Sequence, residues 1–288
     1  MHPPHLWWWA LLLLCGAASL DDRQQFGRFL QQLKRKPTHG EGGIPRLLVT
    51  SHRTPRAELP PNLRENVDAW RRLNPSFAFR YFDDAAQSKF MRETCAVPRC
   101  LEAYDVLVSG AGKADLFRIA YLYYVGGWWV DADLKPGPIA ENCDLAYPEK
   151  LLLVAERHGM PRFMILAGNG HPLLAKTLAT QIANVFRNHR RSPENRRNTL
   201  FVTGPSTLAR TICHELGADL GSPHCGRGRF VGFAGATKLA PFAARAFAGG
   251  FRMDTCSEFW FSPFPDFDHK RELRSMNLTH YSLLRTAR

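Results

Sequence analysis

From Ile44 onward, short apolar runs separated by Pro- and Gly-rich turns alternate with stretches of helical period. Ile44-Pro45-Arg46-Leu47-Leu48-Val49-Thr50 reads as a buried strand, and Ser51 to Pro61 as a loop at its carboxyl end. Asn62 to Leu73 sets Leu63, Val67 and Trp70 on one helical face, and Phe77 to Phe82 alternates as a second strand. Strand, helix, strand in that order predicts a parallel sheet with helices packed on it.

The stretch from Lys113 to Asp133 is the most informative. Leu116, Ile119, Ala120 and Tyr123 recur at helical spacing, and Gly126-Gly127 supplies the stop. Trp128-Trp129-Val130-Asp131-Ala132-Asp133 then reads as a strand, broken by Lys135-Pro136-Gly137-Pro138. Side chains alternate along a strand, so Asp131 and Asp133 are expected on one face. Leu151 to Ala155 and Arg162 to Leu166 read as further strands. Pro172 to Asn188 reads as a helix capped near Asn169-Gly170-His171, and Ser206 to Leu216 as another after Thr203-Gly204-Pro205. From Gly221 the chain is loop-rich, with no repeat.

Composition adds a compartment. Leu6 to Leu20 is apolar apart from Ser19 and ends in small residues, so residues 1–20 read as a signal peptide or short signal-anchor. Polar residues 21–43 read as a stalk or linker, and 44–288 as one domain. Removing Cys15 with the leader leaves six cysteines, enough for up to three disulfides, and Asn277-Leu278-Thr279 is a glycosylation sequon. These features point to the lumen of the endoplasmic reticulum or Golgi, free or membrane-anchored. The net charge of +12 suits an anionic partner, a membrane surface included. The basic residues are scattered in short groups without a nucleic-acid-binding signature, so no nucleic-acid partner is expected.

Two carboxylates on one face of a strand end suit a hard divalent cation, Mn²⁺ or Mg²⁺, with a diphosphate completing its shell. Asp115 and Arg118, three residues apart on the preceding helix, read either as an ordinary intrahelical ion pair or as a polar clamp on sugar hydroxyls. A two-metal phosphatase or nuclease would want a further carboxylate or His cluster, which the sequence does not offer.

Lys113-Ala114-Asp115-Leu116-Phe117-Arg118, Tyr121-Leu122-Tyr123 and Gly126-Gly127-Trp128-Trp129-Val130-Asp131-Ala132-Asp133 together resemble glycosyltransferases with the "sugar-binding region containing DXD motif". That family includes initiating α-1,6-mannosyltransferases, inositol phosphoceramide mannosyltransferases and α-1,4-glycosyltransferases. Ile44-Pro45-Arg46, Trp70 and Asn74-Pro75 fit the same pattern, and Gly170-His171-Pro172 and Thr203-Gly204-Pro205 are later echoes. The resemblance implies an α/β fold of GT-A type, a mixed, mostly parallel sheet with helices on both faces forming a Rossmann-like nucleotide-sugar-binding domain. It also implies retaining transfer from a nucleoside-diphosphate sugar. By carry-over, Asp131 lies near ribose and metal, Asp133 binds metal directly, and Asp115 with Arg118 holds the donor sugar. Val49 and Thr50 would line the base pocket, and His280 is a further candidate metal or diphosphate ligand.

The expected activity is a metal-dependent hexosyltransferase, mannose from GDP-mannose favoured, acting on a glycan or glycolipid. The alternatives are a UDP-galactose- or UDP-N-acetylglucosamine-using α-glycosyltransferase and a non-catalytic sugar-binding module of the same fold. Thr50-Ser51-His52-Arg53 departs from the family's usual Thr-Trp after the first strand, and His280-Tyr281-Ser282-Leu283 keeps only part of its usual ending.

Overall fold

The computed structural model describes residues 44–134, 136–139, 151–155, 161–191 and 199–215, with short strands at 225–226, 229–230, 244–247, 250–253 and 257–259. Its centre is a five-stranded sheet. In chain order these strands are β1 (Leu47–Ser51), β2 (Ala78–Phe82), β3 (Gly127–Val130), β4 (Leu151–Ala155) and β5 (Pro161–Ala167), and across the sheet they run β2-β1-β3-β5-β4. β2 and β3 flank β1 in parallel, and β5 is antiparallel to both β3 and β4. Four strands therefore share a direction and one opposes them, which is the mixed, mostly parallel α/β sheet expected from the sequence.

Register and strand alternation explain why helices cover both faces. Leu48 pairs with Phe79 and Trp128, and Val49 with Arg80 and Trp129, so each pair of neighbours presents its side chains to opposite sides. One side carries Phe79 and Tyr81, packed on Leu63 and Val67 of helix α1 (Pro61–Leu73). The other carries Leu47, Val49 and Trp129 in the main core, which takes in helices α2 (Asp84–Thr94), α3 (Cys100–Val106), α4 (Gly110–Tyr124) and α5 (Pro172–His189). Helices α6 (Thr199–Val202) and α7 (Pro205–Glu215) complete that layer.

The elements named from sequence appear with ends shifted by a few residues. α1 begins with Pro61 at its first turn, where a missing N–H costs nothing. α5 is capped by His171, whose Nδ1 accepts from the Leu173 N–H at 3.2 Å. α2 and α3 were not expected. α2 starts at Asp83, an N-cap accepting from the Ala86 N–H. α3 follows a tight turn closed by the Cys95–Cys100 disulfide.

One sequence expectation is corrected. β3 stops at Val130, and Asp131 to Leu134 forms a turn in which the Leu134 N–H donates to the Asp131 carbonyl at 3.0 Å. Strand alternation therefore does not orient Asp131 and Asp133. The physical reason is what surrounds the turn: its carbonyls are held by a side chain of α1, and the β1–β3 pairing ends at Val49–Trp129.

Candidate active site

α4 carries Asp115 and Arg118 into the base of the site. Ser109 starts the helix by accepting from the Gly112 N–H at 3.3 Å, and Gly126, at φ 78°, ends it as the Gly126 N–H reaches the Leu122 carbonyl at 3.0 Å. Gly127 follows at φ 115°, with its α-carbon so close to β1 that a side-chain carbon would stand 2.7 Å from the Leu47 carbonyl oxygen. The two glycines therefore bring the chain from helix to strand in the space of one turn. This sets Asp131 one strand length beyond the end of α4.

The guanidinium of Arg118 is the hub. Its Nη2 pairs with Asp115 Oδ1, and its Nη1 stands 3.5 Å from Asp131 Oδ1. Trp129 Nε1 donates to the same Asp131 oxygen at 2.9 Å. Asp115 and Arg118 are buried, with 9% and 6% of their surface exposed. The pair is thus neither surface-borne nor confined to its helix: it ties α4 to the turn after β3.

The electrostatics are short of positive charge. Burial, only partly offset by Arg118, pushes the Asp115 carboxyl up to about 6. Burial pushes Asp131 up to about 7; Arg118 opposes this, Asp133 repels and adds to it, and the Trp129 hydrogen bond eases it. Asp131 and Asp133 are therefore near enough to feel each other's charge, as expected, although a turn and not a strand brings them together. Two carboxylates share one guanidinium and Asp133 adds a third negative charge beside Asp131, so a further cation fits. The donors are hard oxygens, as Mn²⁺ or Mg²⁺ requires. No group of three or more His, Cys, Asp or Glu suited to a metal occurs among the described residues, so a diphosphate and water would have to supply the remaining ligands. His280 lies outside the described residues.

Position in the sheet agrees. The chain leaves β1 for β2 on one side and returns to β3 on the other, so the strand order reverses between β1 and β3. Ligands of open α/β sheets bind outside the carboxyl ends at such a point. β1 runs beside β3 up to Val49–Trp129, so Thr50 and Ser51 end β1 on the side from which the Asp131 turn departs. Val49 is wholly inside the core. Thr50 is also fully buried, and the hydroxyls of Thr50 and Ser51 have no hydrogen-bond partner among the described residues, so it is the latter two that offer polar groups at the strand end.

Sequence reasoning missed Asn66. From α1 its Nδ2 donates to the Ala132 carbonyl at 2.8 Å and to that of Leu134 at 2.9 Å. Four residues on, Trp70 Nε1 donates to the Leu134 carbonyl at 3.2 Å. Four further, Asn74 donates to the Gly137 carbonyl at 3.1 Å and accepts from the Ile139 N–H at 2.6 Å. One ridge of α1 thus grips the main chain through and beyond the Asp131–Asp133 turn. The available signal was an asparagine placed four residues before Trp70 on an otherwise apolar face.

Fold and site together define an α/β protein with an acidic, arginine-buttressed turn at the switch point of its sheet. Residues 60–138 match the family model "Glycosyltransferase sugar-binding region containing DXD motif", which bears out the resemblance seen in the sequence over about a quarter of the chain. A solved structure titled "PaToxG Glycosyltransferase" is similar over 68% of this chain and 78% of its own, at 16% identity and a TM-score of 0.43, too slight a likeness to carry a conclusion. No curated protein matches. The matched stretch runs from the residue before α1 to Pro138, and so contains every member of the ridge, the hub and the turn except Ile139.

Proposed function

We propose that the chain is a retaining glycosyltransferase that uses a divalent cation to hold a nucleoside-diphosphate sugar at Asp131 and Asp133. The observation that carries this reading is the convergence of Asp115 and Asp131 on Arg118, with Asp133 close enough to Asp131 for the two carboxylates to repel, at the carboxyl end of the parallel strands. A bound cation would neutralise charge on the departing diphosphate. Asp133 and Asp131 supply its protein oxygens. Arg118 and Trp129 fix the Asp131 carboxylate, and Asp115 with Arg118 meets the hydroxyls of the donor sugar at the buried end of the site. In this reading Thr50, ending β1, lines the base pocket, which its hydroxyl, without a partner among the described residues, supports. Retention follows an oxocarbenium-like transition state, with the acceptor guided to the face the diphosphate leaves.

Mannose from GDP-mannose, transferred to a glycan or glycolipid, is our reading of the substrates, and the secretory lumen our reading of the compartment. The Cys95–Cys100 disulfide and a second disulfide at Cys213 support an oxidising compartment. The test is release of nucleoside diphosphate from GDP-mannose, UDP-galactose and UDP-N-acetylglucosamine by the full chain, with Mn²⁺ or with a chelator. We expect Mn²⁺-dependent turnover of one donor, GDP-mannose first, abolished by Asp133→Asn in a protein that stays folded. Turnover that survives the chelator or the substitution would remove the metal-site reading. Donor binding without any turnover would favour the non-catalytic sugar-binding module.

A further inference from the structure

A groove of about 830 Å³ runs between α1 and the outer side of β2, away from the acidic turn. Pro75, Phe77, Phe79 and Tyr81 give it an apolar, aromatic floor. Asp68, Arg71 and Arg72 share one ridge of α1, opposite the ridge that grips the turn, and Arg56 closes the groove from the loop after β1. Arg56 is paired with Asp68, and Arg72 with Glu65 at 2.6 Å. Arg71 has no hydrogen-bond or ion-pair partner among the described residues. Three guanidinium groups against one lining carboxylate leave the groove cationic.

β2 is also the edge of the sheet, and no described strand pairs with its outer side. The Ala78 N–H donates to the Arg46 carbonyl at 3.0 Å, and the Phe82 carbonyl accepts from the His52 N–H at 3.1 Å. Alternate residues of a parallel strand bond to the same neighbour, so the main-chain groups of Phe79 and Tyr81 face outward. An open edge of five residues spans about 17 Å, the reach of a short extended peptide.

We propose that this groove docks an extended acidic peptide segment as an added strand beside β2. Main-chain bonds to Phe79 and Tyr81 give the register, and the alternate Glu side chains on the α1 side lay their methylenes on the aromatic floor and reach Arg71 and the neighbouring arginines with their carboxylates. A single phosphate headgroup fits less well. It needs converging cations, whereas Arg72 of α1 is already paired with Glu65, and Arg56, from a separate loop, with Asp68.

The experiment is fluorescence anisotropy on the full chain with a labelled peptide of about ten residues, Glu alternating with Val. A Lys-for-Glu version and versions N-methylated on either alternate set of residues are the controls. We expect saturable binding of the Glu peptide and none of the Lys peptide. Loss with one N-methylated set only, and at least ~10-fold weakening by Arg71→Glu with melting temperature unchanged, are the other expected results. Equal binding of the Lys peptide would overturn the charge argument, and undiminished binding of both N-methylated peptides would overturn strand addition. If phosphatidylserine vesicles bind in an Arg71-dependent way and the Glu peptide does not, the groove is a membrane contact and the proposal fails. None of these outcomes depends on sugar transfer.

Discussion

Arg118 has two counter-ions, and that number decides what substitutions around it do. Asp115→Asn keeps the shape and an acceptor oxygen, and Asp131 remains to balance the guanidinium. The protein should stay folded while transfer falls on the order of 100-fold, because a charged contact to the sugar is lost in a desolvated site. Affinity for the Mn²⁺-bound nucleoside diphosphate, which lacks the sugar, should barely change. Arg118→Ala instead strands the buried Asp115 and the partly buried Asp131, so a destabilisation of about 3 kcal/mol in denaturant melts is expected along with the loss of transfer. Near-normal transfer in Asp115→Asn would show that the buried pair serves only to join α4 to the turn. The sequence had offered an ordinary ion pair as the alternative, for which a few tenths of a kcal/mol would apply. Burial rules that magnitude out.

At the scale of elements, the site depends on what holds the Asp131–Leu134 turn. Asn66, 2% exposed, satisfies two of its carbonyls at once. Asn66→Ala leaves both without that donor and should cost about 2–4 kcal/mol in unfolding free energy. The more telling readout is the metal. The Mn²⁺ concentration needed for half-maximal donor turnover should rise in Asn66→Ala. An unchanged metal requirement in a destabilised protein would reduce Asn66 to a structural strut. Trp70 and Asn74 were legible in the sequence as part of a resemblance, but their role as donors and acceptors to the segment after β3 was not. A helix periodicity shows which residues share a ridge and is silent about which chain that ridge touches.

For the whole molecule, the gathered carboxylates make stability depend on pH. An isolated Asp titrates at the ordinary 3.8, whereas the folded protein holds Asp115 near about 6 and Asp131 near about 7. Between these values the native state binds protons that the unfolded chain has released. The contribution of these groups therefore favours folding in acid, weakens as pH rises from 3.8, and is fully lost above about 7. The melting temperature of the metal-free protein should fall on going from about pH 5 to about pH 8, and Asp133→Asn should reduce that fall. Mn²⁺ with a nucleoside diphosphate should raise the melting temperature more at the higher pH, where no proton competes for Asp131. A metal-free melting curve that rises over this range would mean that the carboxylates are not buried together as described.

What the sequence determined by itself was local: strands and helices set by periodicity, the helix stop at Gly126-Gly127, and the pairing of Asp115 with Arg118 and of Asp131 with Asp133 as neighbours in the chain. These follow from side-chain spacing along one element, which needs no knowledge of the rest. Tertiary structure decided which neighbours matter. β3 ends before Asp131 because α1 holds the following carbonyls, and Arg118 reaches Asp131 because Gly127 lets β3 pass close to Leu47. The lifted carboxyls arise only when elements separated in sequence exclude water from one place. Burial and long-range contact are properties of the packed chain, and no pattern within a single element encodes them.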